Sequence, residues 1–300
     1  MKFILAGKFP ILLTLSLISA AYLPYIFEVF AIHNDYTLWG YDNQSGCCHP
    51  ESIHLIYIGR LLGSVLLNLH VMFFVDVSDV AWARLVAGVI MFLIAMLLTR
   101  HMVRDAGMPY RVSIFLGSWI VLLPASVAYI LWMMNFIPGP LTALLSILLY
   151  PLIRHRPEDR PTRWHLGKRQ ILGYMLLFGL FFVYPPNTML YLAVPFSAAL
   201  FSTREKWAQR RFDFIQQFVM AGLFSILYTL LVKLVQTHWF SHLSVFQNHW
   251  VGAQYKFEFS INPLDFWPRF EKFLELLFSL WGTVEFSIIG PWIVGCIILV

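Results

Sequence analysis

Asp35 and Arg60 are the residues of this chain best suited by type and setting to chemistry. Asp35 stands in Ala31-Ile-His33-Asn34-Asp35-Tyr36, directly after a long apolar run. Partial desolvation at such a boundary makes a carboxylate a better proton acceptor. The same residue also suits an ordinary solvated loop acid, or an Asx-turn at a helix C-terminus. Arg60 lies 25 positions further on, in Tyr57-Ile-Gly59-Arg60-Leu-Leu-Gly63. An arginine in apolar sequence must find a partner or reach water. A phosphate suits its planar, bidentate donor set. Lipid head groups are phosphates too, so plain anchoring explains Arg60 equally well. His33, Asn34, Glu51, His54 and Tyr57, with His49, are candidates to line the same cavity. Their spacing includes no i, i+4 or short His/Cys pair, so no metal site is expected among them.

The elements that must position these residues are apolar. Hydrophobic residues make up 59% of the 300 and charged residues only 12%, and the mean hydropathy is +0.69. That balance belongs to a polytopic membrane protein and leaves no polar stretch long enough for a soluble domain. Eight spans are expected, at 9–32, 80–99, 112–134, 138–153, 170–184, 187–202, 214–236 and 273–300. A break near Gly290-Pro291 would make a ninth. Lys2 to Lys8 followed by apolar sequence, with Ser19-Ala20-Ala21 behind it, imitates a signal peptide. The apolar run continues to Ile32, however, which is too long for a signal core and suits an uncleaved first helix. The last residues, Trp292 to Val300, are apolar with no polar tail, as expected of a span cut short. Among the three cysteines, Cys296 falls in a span, and adjacent Cys47-Cys48 make a strained, uncommon pair.

The net charge of +5 would suggest nucleic acid in a soluble protein, but here it reads as topology. The loops at 100–111, 154–169 and 204–211 hold thirteen Lys and Arg. They share the cytoplasmic side with Lys2 and Lys8 only if the segment 53–75 does not cross the membrane. That segment agrees with the requirement. His54, Tyr57, Arg60, Ser64 and Asn68 fall within about 120° of arc on a helical wheel, with leucines elsewhere. One amphipathic helix over 53–75, lying in the interface, is therefore expected. Two external loops follow, 33–79 and 237–272, within a single transmembrane domain spanning 1–300.

This layout resembles the GT-C membrane glycosyltransferases: a short cytoplasmic start, a first span, then Asn34-Asp35 opening an external loop with an amphipathic helix. Gly59-Arg60-Leu-Leu-Gly63 looks like the bactoprenol-dependent glucosyltransferases that modify O-antigen in the bacterial cell envelope. The resemblance covers residues 1–110 by motif and the remainder by hydropathy. It implies an all-α polytopic fold of about eight or nine transmembrane helices in the bacterial inner membrane. It also implies sugar transfer from a polyprenyl-phosphate donor to a glycan or lipid acceptor at the external face. Asp35 would serve as general base, and Arg60, helped by Lys256 or Arg269 of the second loop, would hold the carrier phosphate. Many relatives carry two acids where this chain has Asn34-Asp35. No cofactor is implied beyond the lipid-linked donor, no metal is required, and no Gly-rich nucleotide turn is present.

Two other classes compete. A transporter or flippase of a lipid-linked or small solute would show buried charges or broken helices in its spans. The spans read as nearly charge-free, with Lys233 and Glu285 near their ends, which favours chemistry at the surface. The third class is a scaffold or assembly subunit without catalysis.

Overall fold

The computed structural model describes residues 15–16, 18–19, 55–73, 80–122, 138–154, 167–201, 204–238 and 271. His33, Asn34, Asp35, Glu51, His54, Lys256 and Arg269 lie outside the described residues. Among the described residues the secondary structure is helix and short turns, with no strand. The helices are α1 (Leu61–Phe73), α2 (Val80–His101), α3 (Tyr110–Leu122), α4 (Pro138–Ile153), α5 (Lys168–Phe181), the single turn α6 (Pro185–Thr188), α7 (Ala193–Phe201) and α8 (Arg204–His238). A π-helical turn, Met102–Ala106, continues α2, and a 3-10 turn, Met189–Leu192, joins α6 to α7.

Helix α2 runs through the core. Ala83, Ala87, Met91, Ile94, Ala95 and Leu98 are buried at three- and four-residue spacing, the stripe of a packed helix face. Its other face leaves Trp82, Val86, Val89 and Leu93 exposed, and these are apolar as well. Helix α8 goes further: Phe218, Ile226, Leu230 and Leu234 stand out from the bundle, Ile226 and Leu230 each 60% exposed. Water would not tolerate apolar faces of that extent, whereas lipid tails do. The stretches Ala81–Ala106 and Lys206–His238 are long and apolar enough to cross a membrane, and Tyr110–Leu122 and Pro138–Ile153 are shorter apolar helices. The protein is membrane-associated.

Two expected elements are divided. The single helix expected over 53–75 is helical at 55–57, turns at Ile58-Gly59, and resumes only at Leu61. Gly59 has φ +87°, a conformation that ends a helical ladder. The stretch 187–202, expected as one span, is a chain of short pieces following Pro185-Pro186. Prolines suit a first helical turn but cannot carry a ladder through it.

The described helices share two distinct ends. At one, the connection after α2, the end of α4 and the start of α5 meet. Asp105 pairs with Arg154, Arg169 donates to the Pro151 carbonyl, and Gln170 Nε2 donates to the Ile153 carbonyl at 3.0 Å. These last two bonds satisfy carbonyls that the C-terminus of α4 leaves without helical partners. Arg210 and Asp213, early in α8, act electrostatically on Tyr150 at this same end. Thus all three basic segments, 100–111, 154–169 and 204–211, have residues gathered there. At the opposite end, residues 55–63 meet the C-terminus of α5 and the last turns of α8.

Candidate functional site

Arg60 owes its position to a broken helix. The carbonyls of Leu55 and Ile56 accept from Arg60 N (2.7 Å) and Gly59 N (3.0 Å), the paired closing bonds of a Schellman motif with glycine in the left-handed position. Helix α1 begins immediately afterwards, and Ser64 N donates to the Arg60 carbonyl at 2.8 Å. The break strands backbone groups on both sides, and neighbouring elements satisfy them. Gln236 Nε2 donates to the Tyr57 carbonyl at 2.7 Å, and the Tyr228 hydroxyl donates to the Ile58 carbonyl at 3.2 Å. The N–H groups of Leu62 and Gly63 both donate to the Phe182 carbonyl, at 3.0 and 3.1 Å. Tyr228, Val232 and Gln236 form an i, i+4, i+8 stripe on α8 that lies against residues 57–59.

The guanidinium of Arg60 lies over the ring of Tyr184, 4.4 Å from its centroid. The ring face attracts the cation through its quadrupole, and the N–H groups of a guanidinium suit an anion as well. Among the described residues no carboxylate pairs with Arg60. Two of the first backbone N–H groups of α1, those of Leu62 and Gly63, are committed to Phe182, which leaves the Arg60 side chain as the main charged donor at this end. Arg60 and Tyr57 are both half-buried, so the cation is sheltered yet reachable.

Asp105 forms the centre of a second polar cluster, at the basic end. It is 4% exposed and bonds His101 Nδ1 at 2.9 Å, Arg104 Nε at 3.1 Å, and Arg154. The edge of His101 meets Tyr150 in a T-shaped contact, with centroids 5.3 Å apart. A buried carboxylate surrounded by three cationic or cation-capable groups ties the end of α2 to the end of α4. The i, i+4 spacing of His101 and Asp105 is visible in the sequence, where the charge bias of the basic segment masks it.

Arg84 corrects the expectation of nearly charge-free spans. It lies inside α2, is 0% exposed, and ranks among the largest fully enclosed side chains. A charged residue in an apolar helix persists only when it faces the protein interior, as Arg84 does. The signal was plain, an arginine in Val80-Ala-Trp-Ala-Arg84-Leu-Val, but the apolar average of the segment concealed it.

Of the residues singled out from sequence, Arg60 and Tyr57 are therefore adjacent at one end of the bundle, where Tyr184, Tyr228 and Gln236 join them unannounced. Among the described residues, no three His, Cys, Asp or Glu side chains converge as a metal-ligand set. The chain matches no known family model, no characterised protein and no solved structure.

Proposed function

We propose that the chain is a polytopic membrane glycosyltransferase of the GT-C type. It transfers a sugar from a polyprenyl-phosphate donor to a glycan or lipid acceptor at the external face of a bacterial inner membrane. The observation that supports this reading best is Arg60, a reachable guanidinium stacked on Tyr184 at the end of the bundle away from the basic segments. With the basic segments cytoplasmic by the positive-inside rule, the Arg60 end faces outward, with eight or nine spans and a cytoplasmic N-terminus in the whole chain. In this reading Arg60 stabilises the charge growing on the departing polyprenyl phosphate, with Lys256 or Arg269 assisting. Asp35 takes the proton of the acceptor hydroxyl as it attacks the anomeric carbon.

The test is sugar transfer from a polyprenyl-phosphate donor by membranes carrying each variant at matched expression. Asp35→Asn keeps the shape but removes the proton acceptor, so turnover falls about 10²–10⁴-fold with donor binding little changed. Arg60→Ala weakens donor binding as well as turnover. Arg60→Lys restores it only in part, because an ammonium lacks the fork. Near-normal transfer by Asp35→Asn would remove the general base and most of the proposal with it.

A second reading, a transporter or flippase of a lipid-linked or small solute, draws on Arg84, since a buried cation inside a span is what a conduit carries. Substrate movement across vesicles without sugar transfer, abolished by Arg84→Leu, would favour it.

A further inference from the structure

The outward stripe of α2 ends in arginine. Val86, Val89 and Leu93 are exposed at three- and four-residue spacing, and half-buried Leu97 continues them. The next positions in that series are Arg100 and Arg104, both exposed. Asp105 fixes the second of these. Its Oδ1 accepts from Arg104 Nε at 3.1 Å and from Arg154, while Oδ2 bonds His101 Nδ1 at 2.9 Å. The Asp105 side chain is 2% exposed, whereas those of Arg104 and Arg154 are 46% and 27% exposed. Two donors on one oxygen stand within roughly 6 Å of each other at ordinary hydrogen-bond lengths. A buried carboxylate therefore holds two guanidiniums side by side, one from the end of α2 and one from the end of α4, at the rim of the bundle. Among the described residues no other acid pairs with Arg100, Arg104 or Arg154. Three guanidiniums face one carboxylate.

We propose that this end of α2 seats one anionic phospholipid of the cytoplasmic leaflet. Its phosphate bridges Arg104 and Arg154, Arg100 adds a third cation, and its acyl chains lie along Val86, Val89, Leu93 and Leu97. The proposal does not depend on Arg60 or on sugar transfer; it takes from that reading only the cytoplasmic placing of the basic segments. The stripe selects a lipid over a soluble anion. From Val86 to Leu97 the helix rises about 17 Å, close to one leaflet's half of a hydrocarbon core about 30 Å thick. The arginines begin where that length ends, at the level of the head groups. Guanidinium pairs suit phosphate oxygens. The surplus of positive charge favours a head group with net negative charge, because the ammonium of a zwitterionic one would meet Arg100. An arginine that only anchors a helix reaches head groups on a flexible stem. Here two are tethered to one buried oxygen, which makes a defined seat rather than a diffuse attraction.

The experiment presents the full chain in micelles with equal amounts of phosphatidylglycerol and phosphatidylcholine, and native mass spectrometry counts the lipids retained. One phosphatidylglycerol should be held in preference to phosphatidylcholine. Arg104→Gln should weaken its binding roughly tenfold, as expected for the loss of a hydrogen bond to a charged group, and Arg104→Lys should weaken it less. Arg104 also touches Asp105, so Arg100→Gln is the second variant. Arg100 pairs with no acid among the described residues, and its loss should cost about fivefold in binding with thermal stability unchanged. Arg111→Gln is the control: Arg111 is exposed in the same basic segment but does not pair with Asp105, and retention should not change. In nanodiscs, a phosphatidylglycerol with a diazirine in one acyl chain should label peptides containing residues 86–97. Equal retention of the two lipids, or equal losses in Arg104→Gln and Arg111→Gln, would overturn the proposal and leave only a general attraction to anionic membranes. Labelling away from α2 would overturn it as well. Displacement of the lipid by glycerol phosphate at matched concentration would assign the arginines to a soluble anion instead.

Discussion

Gly63→Ala is the sharpest probe of how Arg60 is held. A Cβ at Gly63 would lie 2.6 Å from the Val183 carbonyl oxygen and 3.3 Å from the Cβ of Arg60. The first contact is with backbone, so no side chain can swing away. Reaching an ordinary contact of 3.4 Å requires a displacement of 0.8 Å between α1 and the end of α5. That shift pulls on the two N–H bonds to the Phe182 carbonyl, each contributing about 1 kcal/mol. Forcing a methyl into a filled contact adds about 1–3 kcal/mol. A destabilisation of about 2–4 kcal/mol follows, concentrated at the Arg60 end. Gly222→Ala in α8 is the matched control, because nothing lies within 4 Å of a Cβ there. Replacing a mid-helix glycine by alanine should be neutral or stabilising by up to about 1 kcal/mol. Steric-trap or denaturant unfolding in micelles measures the pair, and sugar transfer per folded molecule measures the consequence. A displacement of this size near a reacting centre should lower transfer by up to about 10²-fold. Equal stability of Gly63→Ala and Gly222→Ala would refute the close packing of α1 on α5 and, with it, the account of how Arg60 is fixed.

Tyr184→Leu removes the ring beneath the guanidinium while keeping an apolar side chain. Loss of a stacking interaction of about 0.5–2 kcal/mol should weaken binding of polyprenyl monophosphate by roughly 2- to 30-fold with the fold intact, as read by equilibrium binding and thermal denaturation. Asp105→Asn leaves Arg104, Arg154 and His101 facing a neutral amide at the other end of the bundle. Stability in micelles should fall by about 3 kcal/mol, whereas transfer per folded molecule should hold, because the cluster lies at the end away from Arg60. Topology is checked by single cysteines in a chain with Cys47, Cys48 and Cys296 replaced by Ser. Thr162→Cys should react with a membrane-impermeant maleimide only from the cytoplasmic side, and Gln254→Cys only from outside; the opposite pattern would invert every site assignment.

The helices were legible wherever apolar sequence ran on unbroken. The stretch 138–153 was expected as a span and is α4 residue for residue, and 80–99 became α2 with two residues added. Helix α8 begins ten residues before the expected 214, because hydropathy marks where a helix meets lipid and not where its hydrogen-bond ladder starts. Arg204 to Arg211 is polar yet helical. What hydropathy could not reveal was where the ladder breaks. The polar arc of His54, Tyr57, Arg60, Ser64 and Asn68 assumed one continuous helix, and the turn at Gly59 cancels its phase before Arg60. Ser64 and Leu67 of α1 are buried while Leu61, Leu62, Val65 and Leu69 point outward, so α1 has its own inner face, independent of residues 54–57. The stripe Tyr228, Val232, Gln236 was readable at helical spacing, but only the structure shows which carbonyls it serves.

The two arginines in apolar sequence mark the limit of reasoning from residue type alone. Arg60 and Arg84 have the same chemistry, and each sits where a cation is costly. Their surroundings separate them. Arg84 is sealed in the core on the inner face of α2, so no ligand reaches it unless the helices part. Arg60 sits at a break whose backbone groups are already satisfied by Tyr228, Gln236 and Phe182. The cost of that break is met by two side chains of α8 and by the backbone carbonyl of Phe182, and its outcome is one half-buried arginine whose guanidinium lies over the ring of Tyr184. An arginine required only for anchoring needs no such support, since a flexible stem reaches the head groups unaided. A fixed fork is useful when the anion must be held in one orientation while its bond to carbon breaks.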